Sequence, residues 1–270
     1  MIPNDRRVLT TEGFKYPSEL IAFENVSFVC PIHGNAVLGS VRPNGKGDVW
    51  HYSLVPRQNT SGDFWEDLYC NRPTCFPFGD REGFTLDLRK GDRVLAVVAD
   101  VGYDAASWGK GFMYGCGVTY ISSLKPEEYP LYKDRLESLI VTDQIIGVPE
   151  IPYNGKAVEK ASFIQGYLSA CGWPKRLQTL NKQFIDFFIE NAGLAGLIIT
   201  GKILEHLTTC FETTQVLITY SITYAKGLNT RFFRVISGPN WVNERKNLFS
   251  IHLENGGSYA MEGGWTLGSN

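Results

Sequence analysis

Two stretches limit what this chain can fold into more than any other. Residues 105–117 read AASWGKGFMYGCG, and residues 161–172 read ASFIQGYLSACG. In each, small and apolar residues recur at helical spacing, and the stretch ends on cysteine followed by glycine. The spacing predicts two helices that stop at Gly117 and Gly172, because glycine adopts the left-handed conformation that closes a helix. Gly111 with Gly115, and Gly166 with Ala170, stand four residues apart and share a face. A face without side-chain bulk lets two helix backbones approach closely. The stretches lie about 55 residues apart and form a degenerate internal repeat. Val118-Thr-Tyr-Ile121 is expected as a strand after the first. After the second, the pattern predicts a helix over 183–191 and strands over 215–224 and 231–236.

The first hundred residues have a different texture. Val26–Cys30, Val37–Val41, Asp48–Leu54 and Phe64–Cys70 are short and rich in β-branched or aromatic residues, with Gly and Pro clusters between them. Arg7–Thr10, a turn at Glu12-Gly13 and a return over Phe14–Tyr16 predict a hairpin. Residues 83–95 predict two strands around Lys90-Gly91-Asp92. Residues 249–270 alternate around Gly256-Gly257 and Gly263-Gly264, which predicts two more strands and tight turns. The fold class is therefore mixed. The all-β texture fills the first hundred residues and returns over 249–270, and helical stretches begin near residue 104.

The chain has 270 residues, 43% hydrophobic and 20% charged, enough for a sizeable core. Its net charge of −2 gives no global signature for nucleic acid, so any such contact rests on local patches. Lys175 with Arg176, and Arg231 with Arg234, are the candidate phosphate contacts. There is no run of about 18 apolar residues, and Ile2-Pro3-Asn4-Asp5 is no signal peptide. The expectation is a soluble intracellular (cytoplasmic) monomer with no membrane partner. The six cysteines are widely spread, which favours free thiols or a metal site over a disulfide framework. Cys30-Pro-Ile-His33 and Cys70-x4-Cys75 have ligand-like spacing. One reading is therefore a non-catalytic, zinc-stabilised DNA-binding protein of a phage or mobile element, with Cys30, His33, Cys70 and Cys75 as ligands.

The two ends of the chain support a different reading. Val8, Thr10, Gly13, Ser18, Glu19 and Leu20 fit the pattern "V-x-T-x-x-G … E-L", which resembles the opening block of an intein. Ser258–Gly264, running on to Asn270, resembles the closing intein block. The segment 83–95 resembles the "E-L-K-x-G-D-x-V" element. The resemblance implies a horseshoe-shaped Hint splicing domain built from 1–103 and 229–270. It also implies autocatalytic splicing without a cofactor, with flanking host segments (exteins) as partners in cis. Position 1 would supply the nucleophile for an acyl shift. Asn270 would attack its own backbone carbonyl and release the segment downstream of it. The helpers depart from the pattern. Met1 carries a thioether, which has no proton to lose and cannot act as that nucleophile. Ser269 stands where the penultimate histidine belongs, and Ser250 matches the Asp or Cys of the preceding strand. Arg72 and Cys75 fall where the "T-x-x-H" block belongs. Serine is neither acid nor base near neutral pH, so His252 is the nearby substitute.

The helix pair resembles that of the LAGLIDADG homing endonucleases, often nested inside inteins. This implies an α+β unit over 104–228, β-sheets forming a saddle on double-stranded DNA, and Mg²⁺ held by two helix-end carboxylates. Cys116 and Cys171 occupy those positions here. A thiol is a poor ligand for Mg²⁺, so the site is expected to be lost and cleavage with it, while DNA binding survives. Two thiols at the ends of packed helices leave a disulfide or a soft-metal site open. The implied setting is a phage-like one, in the cytoplasm of a bacterium.

Overall fold

The computed structural model describes residues 1–31, 34–56, 66–70, 75–78, 81–84, 88–95, 101–142, 149–209, 216–226, 232–254, 256–262 and 266–268. Sheets and helices are both present, and they segregate along the chain.

The β part is organised by two long antiparallel strands, β5 (Ala36–Pro56) and β14 (Phe232–Leu253). They pair from Gly39 opposite Leu253 to Pro56 opposite Phe233, with four register irregularities on the way. The short strands hang on this ladder. On β14 sit β1 (Ile2–Pro3) and β9 (Arg93–Leu95). On β5 sit β4 (Val26–Val29) and β6 (Glu66–Cys70). β2 (Val8–Thr10) and β3 (Gly13–Lys15) form the expected hairpin, with β2 joined to β4. A one-turn helix, α1 (Pro17–Leu20), leads from β3 towards β4. Two separate hairpins complete the part: β7 (Cys75–Phe78) with β8 (Arg81–Phe84), and β15 (Ser258–Ala260) with β16 (Thr266–Gly268). β16 runs beside β7. Val8 bridges to Met261, so the closing segment joins the opening hairpin.

One apolar cluster serves both pieces. Ile2, Val8, Phe28, Tyr52, Leu54 and Val94 pack with Phe233, Val235, Ile251, Tyr259 and Met261. Expected strands at 37–41 and 48–54 prove to be one strand. The intervening Pro43-Asn-Gly-Lys-Gly47 does not break it, because β14 supplies partners along the whole length and bulges absorb the mismatch.

The other part begins at α2 (Ala105–Cys116). Asp104 caps it by accepting the Ser107 N–H at 2.7 Å. A short helix α3 (Lys133–Thr142) and α4 (Ala157–Ala170) follow. α4 starts earlier than the sequence pattern implies, because the Glu159 carboxylate accepts the Lys156 N–H at 2.8 Å and closes the first turn. Then come β10 (Arg176–Thr179), α5 (Lys182–Asn191), β11 (Leu197–Ile199), β12 (Leu204–Thr209) and β13 (Val216–Lys226). β13 is central, with β10 on one side and β11 and β12 on the other. Leu177, Ile222 and Tyr224 on one sheet face pack against Phe163, Ile164, Phe184 and Phe188 of α4 and α5.

The expected strand at Val118–Ile121 is absent. Gly117 takes the left-handed conformation, and the Val118 N–H donates to the Met113 carbonyl at 2.9 Å, closing α2 instead of entering a ladder. A 3-10 turn over Ile121–Ser123 follows. The repeat therefore stops at the helices. Only the second copy is followed by a sheet among the described residues.

α2 and α4 touch backbone to backbone. A Cβ on Gly111 would sit 2.0 Å from the Phe163 carbonyl oxygen, and one on Gly166 would sit 1.9 Å from that of Trp108. No rotamer relieves such a contact, since the obstacle is main chain. Gly166→Ala should therefore lower the unfolding free energy by about 3 kcal/mol or more in urea titration, the upper end of overpacking costs. A loss below about 0.5 kcal/mol, the scale of an ordinary surface change, would show that these helices do not meet there.

Candidate functional site

Position 1 sits beside β14, close to the Leu253 end of the long ladder. Ile2 pairs with Phe249 and Pro3 with Leu248, and the Asn4 N–H donates to the Asn247 carbonyl at 3.0 Å. Continued by one residue, this register sets Met1 opposite Ser250. Cross-strand neighbours project to the same face. Alternation along β14 turns Phe249, Ile251 and Leu253 into the core and gives Ser250 and His252 the other face. Ser250 is buried and His252 is half-buried.

These side chains are wired together. The Asn44 amide donates to the Ser250 oxygen at 2.7 Å, and Ser250 lies 3.1 Å from His252 Nε2. With the imidazole proton on Nδ1, the Ser250 hydroxyl donates to Nε2, which gives a relay from Asn44 through Ser250 to His252. Such a relay fixes the orientation of the imidazole. A thiol or hydroxyl at position 1 would face the Ser250 end of this relay; the thioether of Met1 has no proton to give it. Ser250 and His252 could be singled out along the chain. Asn44 was not, because it enters only through the β5–β14 register and lies 206 positions from Ser250.

The remaining splicing candidates are less complete. Arg72, Ser269 and Asn270 lie outside the described residues. Cys75 opens β7, whose backbone runs beside β16 and hence near the closing segment.

The zinc candidates are not brought together as far as they are described. Cys30 follows β4 in a tight turn, its N–H donating to the Asn35 carbonyl at 2.9 Å, and it is a free thiol. Cys70 ends β6 opposite Trp50, whereas β4 pairs with β5 at Ala36–Gly39. His33 lies outside the described residues. Among the described residues, no group of three or more His, Cys, Asp or Glu side chains is placed to hold a metal ion.

The helix ends form a second constellation. Cys116 is the last residue of α2 and Cys171 follows the last residue of α4. Both are free thiols, so no disulfide joins them. The Cys116 thiol donates to the Tyr129 hydroxyl at 3.2 Å. Loss of water raises the Cys116 pKa, and the bond to Tyr129 only partly offsets this. The same bond, with burial, pushes Tyr129 up to about 12. Cys171 is exposed as a residue, but its sulfur lies against Tyr167, and withdrawal from water raises its pKa, with a smaller contribution from Cys116. Burial, then Cys171, pushes the buried Tyr224 up to about 12. Thiols and phenols held in their protonated forms are the wrong donors for Mg²⁺, which requires several anionic or neutral hard oxygens. Glu128, the carboxylate whose charge is felt at Cys116, is an exposed partner of Lys125 at 3.5 Å. This donor set does not fit Mg²⁺.

The face of the β10–β13–β12 sheet turned away from the helices carries a polar strip, with the exposed Leu204 opposite Ser221. Register puts Gln178 beside Ser221, His206 beside Thr219 and Arg176 beside Thr223 on it. An Arg176 Nη donates to Ser221 at 2.7 Å and to His206 Nε2 at 3.0 Å. Lys175 is exposed next to it. Arg234 is exposed on β14, in the other sheet, and Arg231 lies outside the described residues. Arg176 and Arg234 therefore do not share a sheet.

No helix among the described residues is long and apolar enough to cross a membrane. No family model matches the chain, and no curated protein matches it.

The raised thiol pKa values have a direct consequence. Only the thiolate attacks an alkylating agent, so a higher pKa leaves less nucleophile at a given pH. Near neutral pH, Cys116 and Cys171 should react with iodoacetamide several-fold more slowly in the native protein than in urea, followed by peptide mass spectrometry. Equal rates would show that both sulfurs are fully hydrated.

Proposed function

We propose that this chain is an intein-like protein. A Hint-type splicing unit (1–103 and 229–270) is interrupted by a LAGLIDADG-type unit (104–228) that binds double-stranded DNA without cleaving it. The observation that carries the reading is the Asn44–Ser250–His252 relay, set beside position 1 by the β1–β14 register. The Val8–Met261 bridge supports it, because it draws the segment leading to Asn270 into the same sheet.

The chemistry would run in two parts. A hydroxyl or thiol at position 1 would pass its proton to the Ser250 oxygen as Ser250 passes its own to His252 Nε2. It would attack the preceding carbonyl, and the freed backbone nitrogen would take up a proton. The Asn270 carboxamide nitrogen would then attack its own backbone carbonyl. That closes a succinimide and expels the amine of the following residue. With Met1 in place the first part has no nucleophile and only the second is open. Neither part needs a metal. For the inserted unit, the polar strip of the sheet with Lys175 and Arg176 is the DNA-facing surface. The thiols at the helix ends account for lost cleavage.

A precursor with short extensions at both ends, Cys or Ser at position 1 and Cys, Ser or Thr after Asn270 should splice or cleave at its C-terminal junction. Absence of both reactions would end the splicing reading. In that precursor His252→Ala should slow the N-terminal acyl shift by about a hundredfold, the lower range for a general base. Unchanged thiol-induced N-terminal cleavage would remove His252 from the reaction.

The inserted unit is tested separately by binding to duplex DNA in a salt series. Lys175→Ala should reduce the slope of log affinity against log salt by about one. No measurable duplex binding at low salt would refute the DNA-binding part. About one equivalent of zinc by elemental analysis, lost on Cys30→Ser, would instead favour the zinc-stabilised alternative with Cys30, His33, Cys70 and Cys75.

A further inference from the structure

Arg7 stands where three distant parts of the chain meet. Its Nε donates to Glu262 Oε2 at 2.7 Å and its Nη1 to Glu190 Oε1 at 2.9 Å. Glu190 belongs to α5, in the inserted unit, and Glu262 follows the Met261 bridge in the closing segment. The backbone repeats the link, since the Glu262 N–H donates to the Arg7 carbonyl at 3.0 Å. The rings of Phe14 and Tyr16 flank the guanidinium, about 6.0 and 5.9 Å from its carbon. Arg7, Phe14, Glu190 and Glu262 border a cleft of about 490 Å³ between the two units.

The surroundings make this more than a surface ion pair. Leu9, Val29 and Ala260 of the β part share a buried cluster with Ala157, Ala161 and Leu194 of the inserted part. The Ala157 N–H donates to the Thr11 carbonyl at 3.0 Å. The inserted unit is thus packed on the same hairpin that receives the closing segment.

We infer that Arg7 is a positioning residue through which the inserted unit, by way of Glu190, holds the closing β15–β16 hairpin in place. A guanidinium can bridge two carboxylates at once in a fixed fork, whereas an ammonium cannot do so in the same plane. On the splicing reading, on which this role in the reaction rests, the held hairpin carries the Asn270 junction. The inserted unit then sets how that junction is presented.

The test uses the full chain and measures amide hydrogen exchange over 256–268 by mass spectrometry. Glu190→Gln should speed exchange there by about two- to fivefold, the range of a partly exposed ion pair, and leave the β5–β14 ladder unchanged. Arg7→Lys should fall between wild type and Arg7→Gln. Asp186→Asn, on the same helix but paired with Lys182 at 3.0 Å, should change nothing in the hairpin. Hairpin exchange unaltered by Glu190→Gln, or protection lost evenly across both units, would overturn the inference. In the splicing precursor, Glu190→Gln should lower the rate of C-terminal cleavage by a similar factor, and Arg7→Lys should recover part of what Arg7→Gln loses. If the unsubstituted precursor does not cleave at all, the splicing reading fails. The exchange measurement then decides the coupling on its own.

Discussion

The antiparallel ladder between β5 and β14 is the constraint on which the rest of the β part depends. Two strands of 21 and 22 residues pair over nearly their full length, one from each side of the inserted unit. Short strands such as β1 and β9, with two or three residues each, could not persist alone. They persist because β14 offers them a preformed edge. The same ladder fixes which side chains meet. Asn44, Ser250 and His252 form a relay because Ser250 is registered opposite Arg42 and position 1 falls on its other flank.

The second constraint is the backbone contact of α2 with α4, Gly111 against Phe163 and Gly166 against Trp108. Backbones that close leave no room for a methyl, so the crossing of α2 and α4 is set by hard-sphere geometry and not by choice of core residue. Everything downstream is referred to that pair. α5 and the β10–β13 sheet pack on α4, while Trp108, Phe112 and Leu136 form a smaller cluster on α2. The two thiols end up at the same end of the pair for the same reason. Their protonated, phenol-bonded state follows from that placement, since among the described residues no cation acts on either sulfur to stabilise a thiolate. The inserted unit is then tied to the β part by a small apolar cluster and by Arg7.

Much of the helical part was legible in the sequence, because glycines at 111, 115 and 166 have few uses in a helix other than close packing. The hairpin at 7–16 was legible for a similar local reason: alternation around Glu12-Gly13. The strand expected at 118–121 was not formed, because the capping bond of Val118 competes for its backbone and wins. The continuity of β5 through Pro43-Asn-Gly-Lys-Gly47 was invisible locally. A Pro/Gly cluster reads as a break unless a partner strand is known. The candidate site divides in the same way. Ser250, His252 and position 1 could be singled out along the chain, while Asn44, Glu190 and Arg7 matter only through contacts across about two hundred positions.

By itself, the sequence determined the mixed character of the chain, the change of texture near residue 104 and the paired small-residue helices. These follow from local chemistry: side-chain volume and periodicity. Only the tertiary structure decided that the repeat ends after its helices, that Cys116 and Cys171 stay apart as thiols, and that one arginine joins both ends of the β part to the inserted unit. Those outcomes depend on register and on competition for backbone hydrogen bonds, and both are settled between segments far apart in the chain.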